Sequence, residues 1–111
     1  MSKYTILIDL DGVLNIYTGG YQENYIPPLK VGAMEFLACL AKKFDLKLFT
    51  TRPSDIAEKW CKDNGIFKYF SEITNVKKTA WLIIDDRCIK FDGNYQLMLS
   101  KIFEFKPWYK S

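Results

Sequence analysis

Two aspartates one residue apart, Asp9 and Asp11, end an apolar run and are followed at once by Gly12. In extended chain residues i and i+2 point the same way, so the two carboxylates start close together. Like charges at that distance repel, and a divalent cation or a shared proton is the usual remedy. A second acidic pair, Asp85-Asp86, ends the apolar run Trp81-Leu82-Ile83-Ile84. A third run, Leu46-Lys47-Leu48-Phe49, ends in Thr50-Thr51, and the lysines Lys77-Lys78 precede the last run. If the three runs are parallel strands, their ends lie along one sheet edge. Four carboxylates, a hydroxyl and an ammonium then share one crevice. One acidic strand end is an ordinary turn; two, with a hydroxyl-ended strand between them, exceed what turn preference explains.

The chain contains no histidine. That excludes Ser-His-Asp and Cys-His catalysis and histidine-ligated zinc. Acid–base work falls to carboxylates, Lys, Tyr or Cys, and the expected metal is a hard cation held by oxygen. The three cysteines, Cys39, Cys61 and Cys88, match no zinc or redox spacing and read as reduced, small apolar residues of a cytoplasmic protein. The formal charge of +3 is too mild to indicate a nucleic-acid patch or an anionic membrane, though it suits a small anionic ligand. No apolar run is long enough to span a bilayer, and the start Met1-Ser2-Lys3 carries no myristoylation signal.

The elements that must position these residues follow from periodicity. At 111 residues, nearly half of them apolar, the chain fits one domain with a modest core. Residues 3–9 predict a buried strand, and Gly12 allows the sharp turn after it. Residues 14–29 have no clear period and carry Gly19-Gly20, Pro27-Pro28, Tyr17, Tyr21 and Tyr25. They predict a loop or short hairpin, a flap that either covers core or stacks its tyrosines on substrate. Residues 31–44 predict a helix with Met34, Leu37, Ala38 and Ala41 on its apolar face and Lys42 and Lys43 in its last turn. Residues 46–51 predict a strand. A helix starts at Pro53-Ser54, turns Ile56, Ala57 and Trp60 inward, and stops at Asn64-Gly65. Residues 67–74 return to the sheet, 81–84 form another strand, and about 93–103 a last helix. The tail Phe105-Lys106-Pro107-Trp108-Tyr109 is expected to pack on the domain or on a partner. This alternation predicts an α/β fold with a parallel sheet.

With these residues in place the chain resembles the haloacid dehalogenase-like (HAD) hydrolases, mostly magnesium-dependent phosphatases. Asp9-Leu10-Asp11-Gly12-Val13, Thr50, a lysine and Asp85-Asp86 match that family's four signatures in order and span nearly the whole chain. Asn75-Val76-Lys77 leading to Ile84-Asp85-Asp86-Arg87 is similar to a small capless group that includes the phosphatase domains of polynucleotide kinases. The resemblance implies a three-layer sandwich with a Rossmann-like sheet over residues 1–111. No cap domain is expected, because neither gap between signatures has room for one.

The resemblance also implies roles. Asp9 would be the nucleophile that becomes phosphorylated. Asp11 would be the acid–base, with a pKa raised by neighbouring carboxylates. Thr50 would hydrogen-bond the transferring phosphoryl group, and Lys77 or Lys78 would hold nucleophile and phosphate together. Asp86 or Asp85 would complete an Mg2+ site with Asp9 and the backbone carbonyl of Asp11. Thr51, Arg52 and Gly12 fall in the expected substrate-binding set. Arg52 and Arg87, the only arginines, each directly follow a signature. Either forks a substrate anion or anchors a loop through an ion pair. The substrate expected is a phosphorylated compound of unspecified class, with nucleotide, sugar phosphate, nucleic-acid end and phosphoprotein all open. An open site leaves room for closure by a second subunit in a homo-oligomer. The competing readings are a catalytically idle member that binds or regulates a partner, and a receiver-like phospho-acceptor module, whose signatures run in the opposite order.

Overall fold

The computed structural model describes residues 3–107; Trp108 and Tyr109 of the expected packing tail lie outside the described residues. The elements are β1 (Tyr4–Asp9), α1 (Ala33–Ala41), β2 (Phe44–Phe49), α2 (Ser54–Asp63), a 3-10 turn (Phe67–Tyr69), β3 (Phe70–Thr74), β4 (Leu82–Ile84) and α3 (Tyr95–Glu104). The four strands form one sheet in the order β3-β2-β1-β4, and every neighbouring pair is parallel. The fold is therefore α/β, with the strand order of the first four strands of a doubly wound sheet.

β1 is central because Ile6, Leu7 and Ile8 are all buried, the mark of a parallel strand covered on both faces. Leu46 and Leu48 of β2 are buried with Ile6 and Ile8. Right-handed crossovers from β1 to β2 and from β2 to β3 put α1 and α2 on that same face. There Ala33 and Leu37 of α1 and Ala57 and Cys61 of α2 complete the core. The thiol of Cys61 is pushed up to about 12, by burial first and Glu58 second, so it behaves as an apolar side chain. Cys39 and Cys88 are exposed free thiols.

The opposite face changes character across the sheet. At β2 and β3 it carries charge: Lys47 reaches Glu72 at 3.2 Å and Asp45 at 3.6 Å, and Lys78 reaches Glu72 at 3.6 Å. The hydrogen bond from Lys47, ahead of the other influences, holds the Glu72 carboxyl below its ordinary value. α3 follows β4 and contributes no buried residue.

The first helix and the second strand both differ from the sequence expectation at their ends. The first helix ends at Ala41, with Lys42 as its C-cap and no basic residue in its last turn. Phe44 opens β2 by pairing with Tyr4, a tertiary contact that outweighs its helical spacing from Leu37. β2 then stops at Phe49, so Thr50 and Thr51 lie just beyond the strand. Met34, expected to face the core, is 37% exposed; Ala33 takes the buried place.

Candidate functional site

Where β1 and β4 lie side by side, the chain has reversed its order along the sheet. Such a switch point leaves a crevice outside the carboxyl ends of the strands. Here the crevice has a volume of about 290 Å³. Asp9 and Asp11 enter it from the end of β1, and Asp85 and Asp86 from the end of β4. Phe49, Thr50 and Thr51 form the side toward β2, and Tyr17, Tyr21 and Arg87 close the rim.

One oxygen each of Asp9, Asp85 and Asp86 lies within 4.8 Å of the other two. The packing behind them is deliberate. Gly12 sits at φ +88°, and a Cβ there would stand 2.0 Å from Asp86 Oδ2. Only glycine admits the Asp86 carboxylate so close to the backbone. That Oδ2 is buried and has no hydrogen-bond partner within the protein, a costly condition for a carboxylate oxygen. Burial, then the charges of Asp85, Asp86 and Asp11, push the Asp9 carboxyl up to about 8. Asp86 is pushed up by burial and by Asp85, with Arg87 opposing. Crowded, under-satisfied oxygen donors fit a hard divalent cation, which would relieve both the repulsion and the orphaned oxygen.

Asp11 has a different environment. Arg52 forks it, with Nε donating to Oδ2 at 2.8 Å and Nη2 to Oδ1 at 3.0 Å. Asn15 Nδ2 donates to Oδ1 at 3.0 Å. The three bonds hold the carboxylate in place and occupy both of its oxygens. Asn15 is fully buried and organises the turn, its Oδ1 accepting from the N–H groups of Gly12 and Tyr17. Sequence reading did not single out Asn15. Its signal was an Asn four residues after Asp11 in a glycine turn, where such side chains bond local backbone.

The flap over residues 14–29 is a short hairpin-like loop. Asn15 bridges Leu29 at its base and Gln22 bridges Tyr25 at its tip. Leu14 and Ile26 bury themselves in the core while Tyr17 and Tyr21 line the crevice. The flap thus covers core with some residues and lines the crevice with others. Tyr25 lines a neighbouring cavity instead.

The expected site residues divide accordingly. Asp9, Asp11, Thr50, Thr51, Asp85 and Asp86 come together in the crevice. Gly12 is there as a space-maker, and its N–H donates to Asn15. Lys77 is exposed and outside the lining, and Lys78 pairs with Glu72. Their segment, between β3 and β4, has no helix to direct a side chain inward. Arg52 is not an open anion fork: its side chain is fully buried and committed to Asp11 and the flap, so of the two sequence readings the anchoring one applies. Among the described residues Arg87, at the rim, is the cation that lines the crevice, with its guanidinium 5.8 Å from the centre of the Tyr17 ring.

No family model and no curated protein matches the chain. The solved structure of a conserved protein from Bacteroides thetaiotaomicron is similar in fold, with a TM-score of 0.62 and 24% identity. The match covers 98% of this chain and 97% of that one. No helix among the described residues is long and apolar enough to cross a membrane.

Proposed function

We propose that the chain is a magnesium-dependent phosphate monoester phosphatase of HAD type, acting through a phosphorylated Asp9. The observation that carries this is the Asp9/Asp85/Asp86 cluster with its orphaned Asp86 oxygen. Asp9, Asp86 or Asp85, and the Asp11 carbonyl would hold Mg2+, which when bound neutralises the phosphate and the carboxylates facing it. Asp9 attacks phosphorus and the bond to the leaving oxygen breaks. Asp11 gives that oxygen a proton, then takes one from the water that releases phosphate and frees Asp9. Thr50 donates to the transferring group. Its Oγ1 accepts from the Arg52 N–H at 3.1 Å, which leaves its own proton available. Arg87 supplies the cation that Lys77 was expected to supply.

A three-layer, capless, Rossmann-like arrangement belongs to the same reading. The sheet order supports it, as does the match to 97% of the Bacteroides chain, which leaves that chain no room for a cap either. Three free thiols support a cytoplasmic setting. The phosphorylated substrate stays unspecified, and an open crevice is compatible with closure by a second subunit.

One observation favours the second reading, a catalytically idle HAD-like binding or regulatory protein: among the described residues no lysine lines the crevice. The two separate on a panel of phosphate esters assayed with Mg2+, with chelator, and with Asp9→Asn. Mg2+-dependent release of phosphate that Asp9→Asn abolishes supports the phosphatase. Binding of a phosphate compound with no release in any arm supports the idle protein.

A further inference from the structure

We propose that Arg52 is a positioning residue that ties the flap to Asp11, so that the acid–base carboxylate and the aromatic rim of the crevice are set by one cation. The tie rests on the phosphatase reading for its catalytic meaning and on geometry for its existence. From the end of β2 the Arg52 side chain runs beneath the flap, fully buried. Nε and Nη2 fork Asp11 across 41 residues of sequence. Nη1 donates to the carbonyls of Gln22 at 2.7 Å and Glu23 at 3.2 Å, at the flap's tip. The guanidinium carbon stands 4.6 Å from the centre of the Tyr21 ring, and Tyr21 lines the crevice.

Each of these contacts needs the planar fork. A buried cation requires a paired anion, and Asp11 supplies it. Nη1 donates to two flap carbonyls at once, those of Gln22 and Glu23. A lysine ammonium could keep the charge but could not span Asp11, two carbonyls and a ring face at once. Movement of the flap tip therefore pulls on the group that orients Asp11. Substrate contacts made at Tyr21 are felt at the carboxylate that protonates the leaving group.

The test compares Arg52→Lys, Arg52→Gln, Asp11→Asn and the double variant Asp11→Asn/Arg52→Lys in the full chain. The transfer step is read in single turnover on an alkyl phosphate and on an activated aryl phosphate, whose leaving group needs little protonation. A misaligned acid is expected to cost about 100-fold on the alkyl ester. On the aryl ester the expected loss is under about tenfold, because little acid catalysis is there to lose. Adding Arg52→Lys to Asp11→Asn is expected to cost little more on the alkyl ester. Equal losses on both esters, or full additivity with Asp11→Asn, would overturn the positioning role.

A second readout needs no activity. The amide of Tyr25 donates to the Gln22 carbonyl, and that of Tyr17 to Asn15. Both are expected to exchange hydrogen faster in Arg52→Lys and in Asp11→Asn than in the wild type. Unchanged exchange in both variants overturns the tie. If exchange quickens while the wild type cleaves neither ester, the tie stands and the phosphatase reading fails.

Discussion

Gly12 and Asp86 share a space that admits one side chain. Gly12→Ala adds a Cβ where Asp86 Oδ2 already lies and forces alanine to φ near +88°. The strained backbone alone is expected to cost about 1–3 kcal/mol, and displacement of Asp86 adds to it. In an Asp86→Ala background the second part disappears, so Gly12→Ala is expected to cost less there in urea unfolding. An equal cost in both backgrounds would deny the close approach. Asp9 gives a pH prediction. Its carboxyl ionises near 3.8 in the unfolded chain and at about 8 in the folded one. Between those values the folded state keeps the proton that the unfolded state has lost, so stability falls as pH rises and levels off above about 8. In chelator, Asp9→Asn is expected to raise the Tm at neutral pH and to flatten its decline between pH 4 and 8. A parallel decline in the two proteins would assign the pH dependence to other groups.

At the scale of elements, the flap buries Leu14 and Ile26 in the core and lines the crevice with other residues, and its tyrosines can be told apart. Tyr17 and Tyr21 line the crevice and Tyr25 does not. Tyr17→Ala and Tyr21→Ala are expected to alter the ratio of kcat/KM values across several phosphate esters. Tyr25→Ala is expected to leave that ratio unchanged. Equal changes in all three would mean that the flap acts only as cover. The strands and the first two helices were legible in the sequence because each has a clear apolar period or run. The carboxylates were legible because strand ends in a parallel sheet share an edge. Lys77 was not legible: residues 75–81 have no period, so nothing in the sequence says where a side chain there points. Arg52 was read as one of two options because an arginine after a strand can turn out to substrate or in to a carboxylate. Only the folded position of Asp11 decides between them. Phe44 fitted helix and strand alike until its pairing with Tyr4 settled it. The last helix was legible as a helix, but its periodicity did not reveal that Leu97, Ile102 and Phe103 are exposed.

For the whole molecule, the core lies on the α1/α2 side of the sheet, and the crevice sits at the carboxyl ends of its strands. Burial first, and then the neighbouring carboxylates, raise the Asp9 carboxyl, a cost that a cation held by the cluster would relieve. Mg2+ at about one hundred times its Kd is expected to stabilise the wild type by about 2.7 kcal/mol. Asp86→Asn is expected to lose most of that gain, and an equal gain in both proteins would place the cation elsewhere.

The central claim is that Asp9 carries the phosphoryl group, and trapping that species tests it most directly. Asp11→Asn is mixed with an activated aryl phosphate and Mg2+, quenched in acid within one turnover, and digested for mass spectrometry. Loss of the base that activates water is expected to let the intermediate accumulate. The account predicts one added phosphoryl group on the peptide containing Asp9, absent when Asp9 is also changed to Asn. Release of the aryl alcohol at that rate with no phosphoryl group on Asp9, or with Asp9→Asn as active as the wild type, would contradict it.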